Sequence, residues 1–503
     1  VDVVGPVACP QSTGSSWSGS MSSPRIEGTC PSWAMERSGP PELPAPAVRT
    51  QLAWLADHWL APFASRGIQP ADLLPRAGEH KSQCNAKNPN RLCPLVVVRS
   101  GQLLLQISTK SRLFSQPLAG CASNETVQGT SVRRLQTILR LLLVVLRQEP
   151  SLPDFELRVC PDDFCHGEFE GRPVPWLTMA SCHTMPSLPG PSWDTSNRRN
   201  ADLAHWDEVL EHRRRWRREQ ASRWACKESV AAWRGSLSEE FTTNMPWTSH
   251  HKLDRRPIDA ATWHRAGRLA LVSQWCDHPH EFNVFVAGAR QLAWRINSSR
   301  LIACEHNHTH ERRWDRVLPL EQQAARFKYL LHVEGVGGWA DRLRHLLLSG
   351  ATVVKQDMGV AEWYEPLLEA GRHFVPASSS LSNLTGAIRW ARAHDAESRR
   401  IGEDGAELAE GVLAPAALLW YMRQLVVRYA RLFERGHAGR DVPPLPRNTS
   451  ARFECKVAQR TDDAAASDAT RCSLFELESG RSADSMQDVW DMVEAAPHES
   501  LAC

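Results

Sequence analysis

One stretch of this 503-residue chain, Lys328 to Pro376, prescribes a strand, a turn, a helix and a second strand in that order. Tyr329 to Val333 is a short apolar run, and Glu334-Gly335-Val336-Gly337-Gly338 breaks it. From Ala340 to Leu348, the leucines at 343, 346 and 347 recur at the spacing of one helical face, and Ser349-Gly350 stops the helix. Thr352 to Val354 is strand-like again. A βαβ unit of this kind points backbone N–H groups and the positive end of a helix at whatever anion lies above the turn. With Arg342 placed one turn into the helix, a phosphate or diphosphate is the ligand to expect. The glycines alone do not name a nucleotide. Neither G-x-G-x-x-G nor G-x-x-x-x-G-K-[ST] occurs, and a glycine-rich βα turn is as often plain packing.

The rest of the chain sets bounds on that expectation. Its length holds two large domains with tails, or about three average ones. A net charge of +2, from 59 basic and 57 acidic residues, gives no reason to expect nucleic acid or an anionic membrane as the main partner. No apolar run approaches the ~18 residues that span a bilayer. Ile138 to Leu146, the longest, contains Arg140 and reads as a buried helix. Fourteen cysteines occur without a CxxC pair, and sequons stand at Asn124, Asn297, Asn307, Asn383 and Asn448. Together they favour the secretory lumen, endoplasmic reticulum or Golgi, where disulfides persist. Cys84/Cys93 and Cys160/Cys165 are close enough in sequence to pair locally. The chain starts at Val1, consistent with a signal peptide or anchor removed or left out, and its end carries no K-D-E-L.

Residues 1–48 are rich in Ser, Gly and Pro and read as a disordered or variable lead-in. Helices are expected at Gln51–Leu60, Val132–Arg147 and Ala201–Trp224, the last with a solvated basic face of Arg213, Arg214, Arg215, Arg217 and Arg218. Leu95–Val98, Ser100-Gly101 and Leu103–Leu105 read as a hairpin, and Phe155–Val159 as a strand. A second α/β region begins near Trp233 and ends in helices at about Ser382–His394, Ala396–Val412 and Pro415–Glu434. After Gly436 the composition turns to Pro, Ala, Asp and Ser, as in a linker, with a short helix at Ser485–Ala495.

Two further segments carry candidate chemistry. In Leu152 to Phe164 a strand leads to Asp162-Asp163, carboxylates at a strand's carboxyl end, where open α/β sheets place ligands. A carboxylate there could act as a general base; a surface turn with a capping aspartate would look the same. In Trp224 to Ser238, the strand Ala231-Ala232-Trp233-Arg234-Gly235-Ser236 ends on an arginine, whose planar fork suits phosphate, beside a glycine that lets backbone approach a ligand. A structural salt bridge is the other reading of Arg234.

Taken together, KYLL-(acidic)-G, R-L-x-x-L-L-x-S-G, V-V-K, E-W-Y and H-F-V-P resemble glycosyltransferase family 90, which includes CAP10-like xylosyltransferases and Rumi-type protein O-glucosyltransferases. The resemblance covers about residues 95–435. It implies an α/β GT-B fold of two Rossmann-like domains facing across a cleft: an acceptor domain at about 49–215 and a UDP-sugar-binding domain at about 216–435, with 436–503 as linker and tail. It also implies inverting transfer of glucose or xylose from a UDP-sugar to a hydroxyl of a protein (Ser/Thr) or glycan acceptor. Asp163, with Asp162 the alternative, matches the catalytic base. Arg234, Gly235, Ser236, Gly337, Gly338, Trp339 and Arg342 match the donor site, with no metal and no cofactor beyond the donor. Ala340 stands where the family usually has serine, and the turn is one residue longer. That departure motivates an alternative, a family member that binds glycan or nucleotide sugar without turnover. A zinc-dependent hydrolase is the remote alternative, raised by Cys276, His278, His280, Cys304, His306, His308 and His310. Glu362-Trp363-Tyr364 and His373 read as packing, His373 as a hydrogen-bonded structural histidine.

Overall fold

The structure, a computed structural model, describes residues 43–73, 94–106, 122–161, 173–182, 186–191, 203–236, 259–261, 263–265, 267–287, 296–309, 318–335, 340–437, 450–456 and 471–476. In chain order the elements are α1 (Pro46–Leu60), β1 (Leu95–Arg99), β2 (Gln102–Gln106), α2 (Ala122–Gln148), β3 (Phe155–Cys160), the two-residue strands β4 (Leu177–Thr178), β5 (Ser181–Cys182) and β6 (Leu188–Pro189), and α3 (Leu203–Ala221). There follow β7 (Glu228–Ser236), α4 (Gly267–Asp277), β8 (Phe282–Ala287), α5 (Ser299–Thr309), α6 (Leu320–Arg326), β9 (Phe327–His332), α7 (Leu343–Leu348) and β10 (Thr352–Gln356). The last are β11 (Val360–Ala361), β12 (Val375–Ala377), α8 (Leu384–Ala393), α9 (Asp395–Val412), α10 (Pro415–Gly436), β13 (Ser450–Lys456) and β14 (Arg471–Glu476).

The α/β class read from the sequence holds, with two main sheets of different character. The first runs β14-β13-β2-β1-β3-β4-β6 and is mixed: β1 pairs antiparallel with β2 and β3, while β3, β4 and β6 run parallel. Its β1–β2 hairpin turns on Ser100 (φ 48°) and Gly101 (φ 73°), the two left-handed residues that a two-residue turn matching strand twist demands. The Asp154 carboxylate accepts the Ser100 N–H at 2.8 Å and steadies that turn. Two strands, β13 and β14, form within 436–503, where composition reads as linker, and β13 adds to the edge of β2.

The second sheet is wholly parallel, in the order β12-β10-β9-β7-β8. Apolar residues fill both of its faces, as a sheet covered by helices on each side requires. β9 is buried along its whole length. On one face, residues such as Trp233, Tyr329 and Leu331 meet α4 and α8; on the other, Ala232, Leu330 and Val353 join a core shared with α1, α2 and α10. The expected helices at Ser382–His394, Ala396–Val412 and Pro415–Glu434 are α8, α9 and α10. Asn383 directly precedes α8; its side chain accepts the Ser378 N–H at 2.7 Å.

Helix α10 leaves the parallel sheet and packs back on the first. Tyr429 donates to Glu156 O at 2.8 Å, Tyr421 to Pro189 O at 2.9 Å, and Arg428 pairs with Asp57 at 2.7 Å. The basic face of α3 is not the free solvated face its composition suggests. Arg213 pairs with Glu321 at 2.9 Å, and Arg217 pairs with Glu410 of α9 at 2.7 Å while its stem lies against Gly350. Partly buried carboxylates on α6 and α9 draw these arginines inward, and burying their methylene stems adds to the contact. Arg218, near Glu211, stays exposed.

Candidate functional site

Along the chain the parallel sheet adds β8 on one side of β7, then returns to place β9, β10 and β12 on the other. That is the 2-1-3-4-5 order, whose direction reverses between β7 and β9. Open parallel sheets bind ligands outside the carboxyl ends of the two strands at such a reversal. Here those ends are Arg234-Gly235-Ser236 and Val333-Glu334-Gly335. Two of the motifs singled out in the sequence therefore face one crevice.

Arg234 is buried in β7. It donates to Trp233 O at 2.9 Å and to Asn283 O at 2.6 Å, and its other terminal nitrogen bonds the Asn283 side-chain oxygen. Gly235 is required by the indole beside it: a Cβ there would lie 2.4 Å from the Trp233 ring. Ser236 ends the strand, exposed. Arg342 reaches over from the next βα connection, donating to Arg234 O at 2.8 Å with its guanidinium 4.9 Å from the Trp233 ring centroid.

The helix expected from Ala340 starts later and is shorter. α7 covers only Leu343–Leu348, and Arg342 is its N-cap rather than a residue one turn inside. Leu346 N–H bonds Arg342 O at 2.9 Å as the first helical bond, while Asp341 pairs with Arg344 at 2.7 Å to fix the entering turn. Positive charge at this site thus comes from side chains more than from a helix dipole. Gly337, Gly338 and Trp339 lie outside the described residues, as do Asp162 and Asp163 beyond the end of β3.

Arg268, in the first turn of α4, has no place among the sequence motifs, yet it stands in the same crevice. It donates to Ser236 O at 2.5 Å and Glu334 O at 2.9 Å, and lies 5.3 Å from the Trp233 ring centroid. Only an arginine following a glycine at a helix start could have hinted at it. Burial and the Arg268 charge bring the Arg342 pKa down to about 10. His332, fully buried at the end of β9, is held well below its ordinary range by burial, then by Lys355, Arg342 and Arg268, and stays neutral. Arg342 has no carboxylate partner among the described residues. An anion bound beside Arg342 would offset the neighbouring positive charge.

Beside this site lies a second charged cluster. Arg344 and Glu362 form a buried ion pair, the Glu362 N–H bonds the Glu365 carboxylate at 2.8 Å, and Glu365 pairs with Lys355 at 2.9 Å. Burial pushes the Glu362 carboxyl up to about 8 although Arg344 pulls it down. Trp363 stacks on Tyr421 of α10, in line with a packing role for Glu362-Trp363-Tyr364. His373 accepts the Glu369 N–H at 2.9 Å and is structural, as its sequence context suggests.

The zinc reading fails at its cysteines. Cys276 and Cys304 are joined in a disulfide between α4 and α5, which removes both thiolates from any metal. Cys160 and Cys226 are also disulfide-bonded; Cys84, Cys93 and Cys165 lie outside the described residues. Among the described residues no cluster of His, Cys, Asp or Glu could hold a metal, and no helix is long and apolar enough to cross a membrane.

Comparison with known proteins places this crevice inside a matched region. The profile of Glycosyl transferase family 90 matches residues 123–441. Protein O-glucosyltransferase 3 of Homo sapiens is 31% identical over 136 residues, 26% of this chain and 26% of that protein. Protein O-glucosyltransferase 2 of Danio rerio is 33% identical over 107 residues, 21% of each chain. An uncharacterized protein, 179R, of Invertebrate iridescent virus 6 is 24% identical over 176 residues, 33% of this chain and 15% of its own length. The matched stretches thus span about a quarter or less of these relatives.

Proposed function

Because the chain belongs to glycosyltransferase family 90, we propose that it transfers glucose or xylose from a UDP-sugar to a hydroxyl of a protein or glycan acceptor, with inversion at the sugar. The observation that carries this reading is the coincidence of the β7/β9 reversal with Arg342, a cation without a carboxylate partner among the described residues. A UDP diphosphate is an anion of the right kind for that crevice. Names of the relatives, protein O-glucosyltransferases, favour a protein hydroxyl as acceptor.

In this reading two α/β domains of GT-B type face across a cleft, about 49–215 carrying the acceptor and about 216–435 the donor. Asp163 takes the acceptor's proton as its oxygen attacks the anomeric carbon. The bond from that carbon to the diphosphate breaks, and charge grows on the departing UDP. Arg342, Arg234 and the N–H groups of Gly337, Gly338 and Trp339 stabilise that charge, supplying what a bound metal provides in other transferases. Ser236 and Gly235 let the strand end approach the donor. The disulfides fit a luminal compartment, endoplasmic reticulum or Golgi.

Incubating the protein with a panel of UDP-sugars and measuring UDP release tests activity and donor together. Release with UDP-glucose or UDP-xylose is expected. UDP binding without release would favour the non-catalytic reading that Ala340 motivates. Asp163→Asn should lower turnover by about a thousandfold or more with UDP affinity intact; unchanged turnover removes Asp163 from the base role. Arg342→Ala should weaken UDP binding by about tenfold or more in calorimetry, the loss of a charge-assisted pair.

A further inference from the structure

The walls of the crevice are main-chain groups, and a side chain outside every sequence motif spans them. Arg268 bonds the last carbonyl of β7, Ser236 O, at 2.5 Å and the Glu334 carbonyl beyond β9 at 2.9 Å. One planar fork thus ties the two strand ends that border the reversal. Its starting point is fixed as well. Gly267 has φ 33°, and a Cβ there would lie 2.2 Å from the Glu334 carboxylate, so α4 begins pressed against the residue that Arg268 holds. Arg268 also shares the Trp233 ring with Arg342, at 5.3 and 4.9 Å from the centroid. The Arg268 charge acts against that of Arg342, and a diphosphate bound beside them would offset that repulsion.

We propose that Arg268 is a positioning residue for the donor diphosphate: it sets the separation of the β7 and β9 ends and, through Trp233, holds Arg342 at the crevice. The inference rests on the reading of this crevice as the UDP-sugar site. It asks for arginine specifically. A lysine ammonium reaches as a point charge and lacks the planar fork that serves two carbonyls while lying over an indole.

The test compares the intact protein with Arg268→Met and Arg268→Lys. Calorimetry with UDP should show affinity lower by about tenfold to a hundredfold for Arg268→Met. Arg268→Lys should recover less than half of that loss on a logarithmic scale, with its melting temperature near the parent's. In UDP-sugar turnover, KM should rise in both variants and kcat should fall in Arg268→Met. Parental affinity and kcat in a folded Arg268→Met protein overturn the proposal. So does full recovery by lysine, which would reduce the role to charge alone. Should Arg268→Met fail to fold, Arg268→Lys decides by the same readings. Hydrogen exchange separates this failure from failure of the donor-site reading. Without any ligand, peptides covering Arg234–Ser236 and Val333–Gly335 should exchange faster in either variant, and unchanged exchange sinks the positioning role. A parent protein that binds no UDP would instead sink the donor site.

Discussion

Glu362 carries the carboxyl that, among the described residues, the fold has moved furthest toward neutrality. Burial raises it from about 4.5 to about 8 against the pull of Arg344. A carboxyl with a raised folded-state pKa binds its proton more tightly folded than unfolded. Its contribution to stability is complete below its ordinary pKa and is lost as pH climbs through the folded value. Melting temperature should therefore fall between roughly pH 5 and pH 8, and Glu362→Gln, which has no proton to lose there, should show a flatter profile. Lys227, pulled down to about 8 by burial and two neighbouring cations, works with the opposite sign above that pH. The difference between the two proteins, followed by calorimetry across pH, isolates Glu362. Identical profiles would assign the slope to another group. The sequence marked this residue only as part of E-W-Y packing, because nothing in one dimension says that Arg344, eighteen residues earlier, comes to lie against it. Arg268 was missed for the same reason: its partners are main-chain carbonyls, which leave no trace in residue types.

At the scale of elements, helix α9 meets β10 and β12 almost backbone to backbone. A Cβ at Gly402 would lie 2.8 Å from Gly350 O, and one at Gly405 would lie 2.6 Å from His373 O. Main-chain atoms cannot swing aside, so Gly402→Ala should push the helix outward and cost about 1–3 kcal/mol in urea unfolding. Gly386, in α8, has nothing within 4 Å of its Cβ position. Gly386→Ala should instead be neutral or stabilise by up to about 1 kcal/mol through helix propensity; a Gly402→Ala protein as stable as Gly386→Ala would remove the close backbone packing as a constraint. Elements of this kind were largely legible. Three carboxyl-terminal helices, the Ser100-Gly101 hairpin and the strand–turn–helix–strand order from Phe327 to Gln356 follow from periodicity and turn chemistry. The two-residue strands β4, β5 and β6 do not, since so short a run has no period. The start of α7 also escaped: Ala340 to Arg342 carry helical residue types, but the reach of Arg342 to β7 and the Asp341–Arg344 pair hold them in a turn.

For the molecule as a whole, the disulfide between Cys276 and Cys304 closes a separation of 28 residues. In the chain-entropy account a loop of that size is worth roughly 3–4 kcal/mol. The double variant Cys276→Ser, Cys304→Ser should melt several degrees lower, and should lose less than the parent protein when a reductant is added. Equal sensitivity to reductant would assign the stabilisation to the other disulfides. The wider architecture depends on a longer closure. Arg428 of α10 pairs with Asp57 of α1 across 371 residues, and α10 packs on α1, α2 and β3. A ribosome delivers the amino-terminal helices first. At about 5–20 residues per second they would wait on the order of a minute or less for their partner. The first sheet is thus not a unit that can finish during synthesis. The faces of α1 and α2 that meet α10 stay open to chaperones and to misassembly until α10 emerges, and a polypeptide cut short before Pro415 would lack that cover.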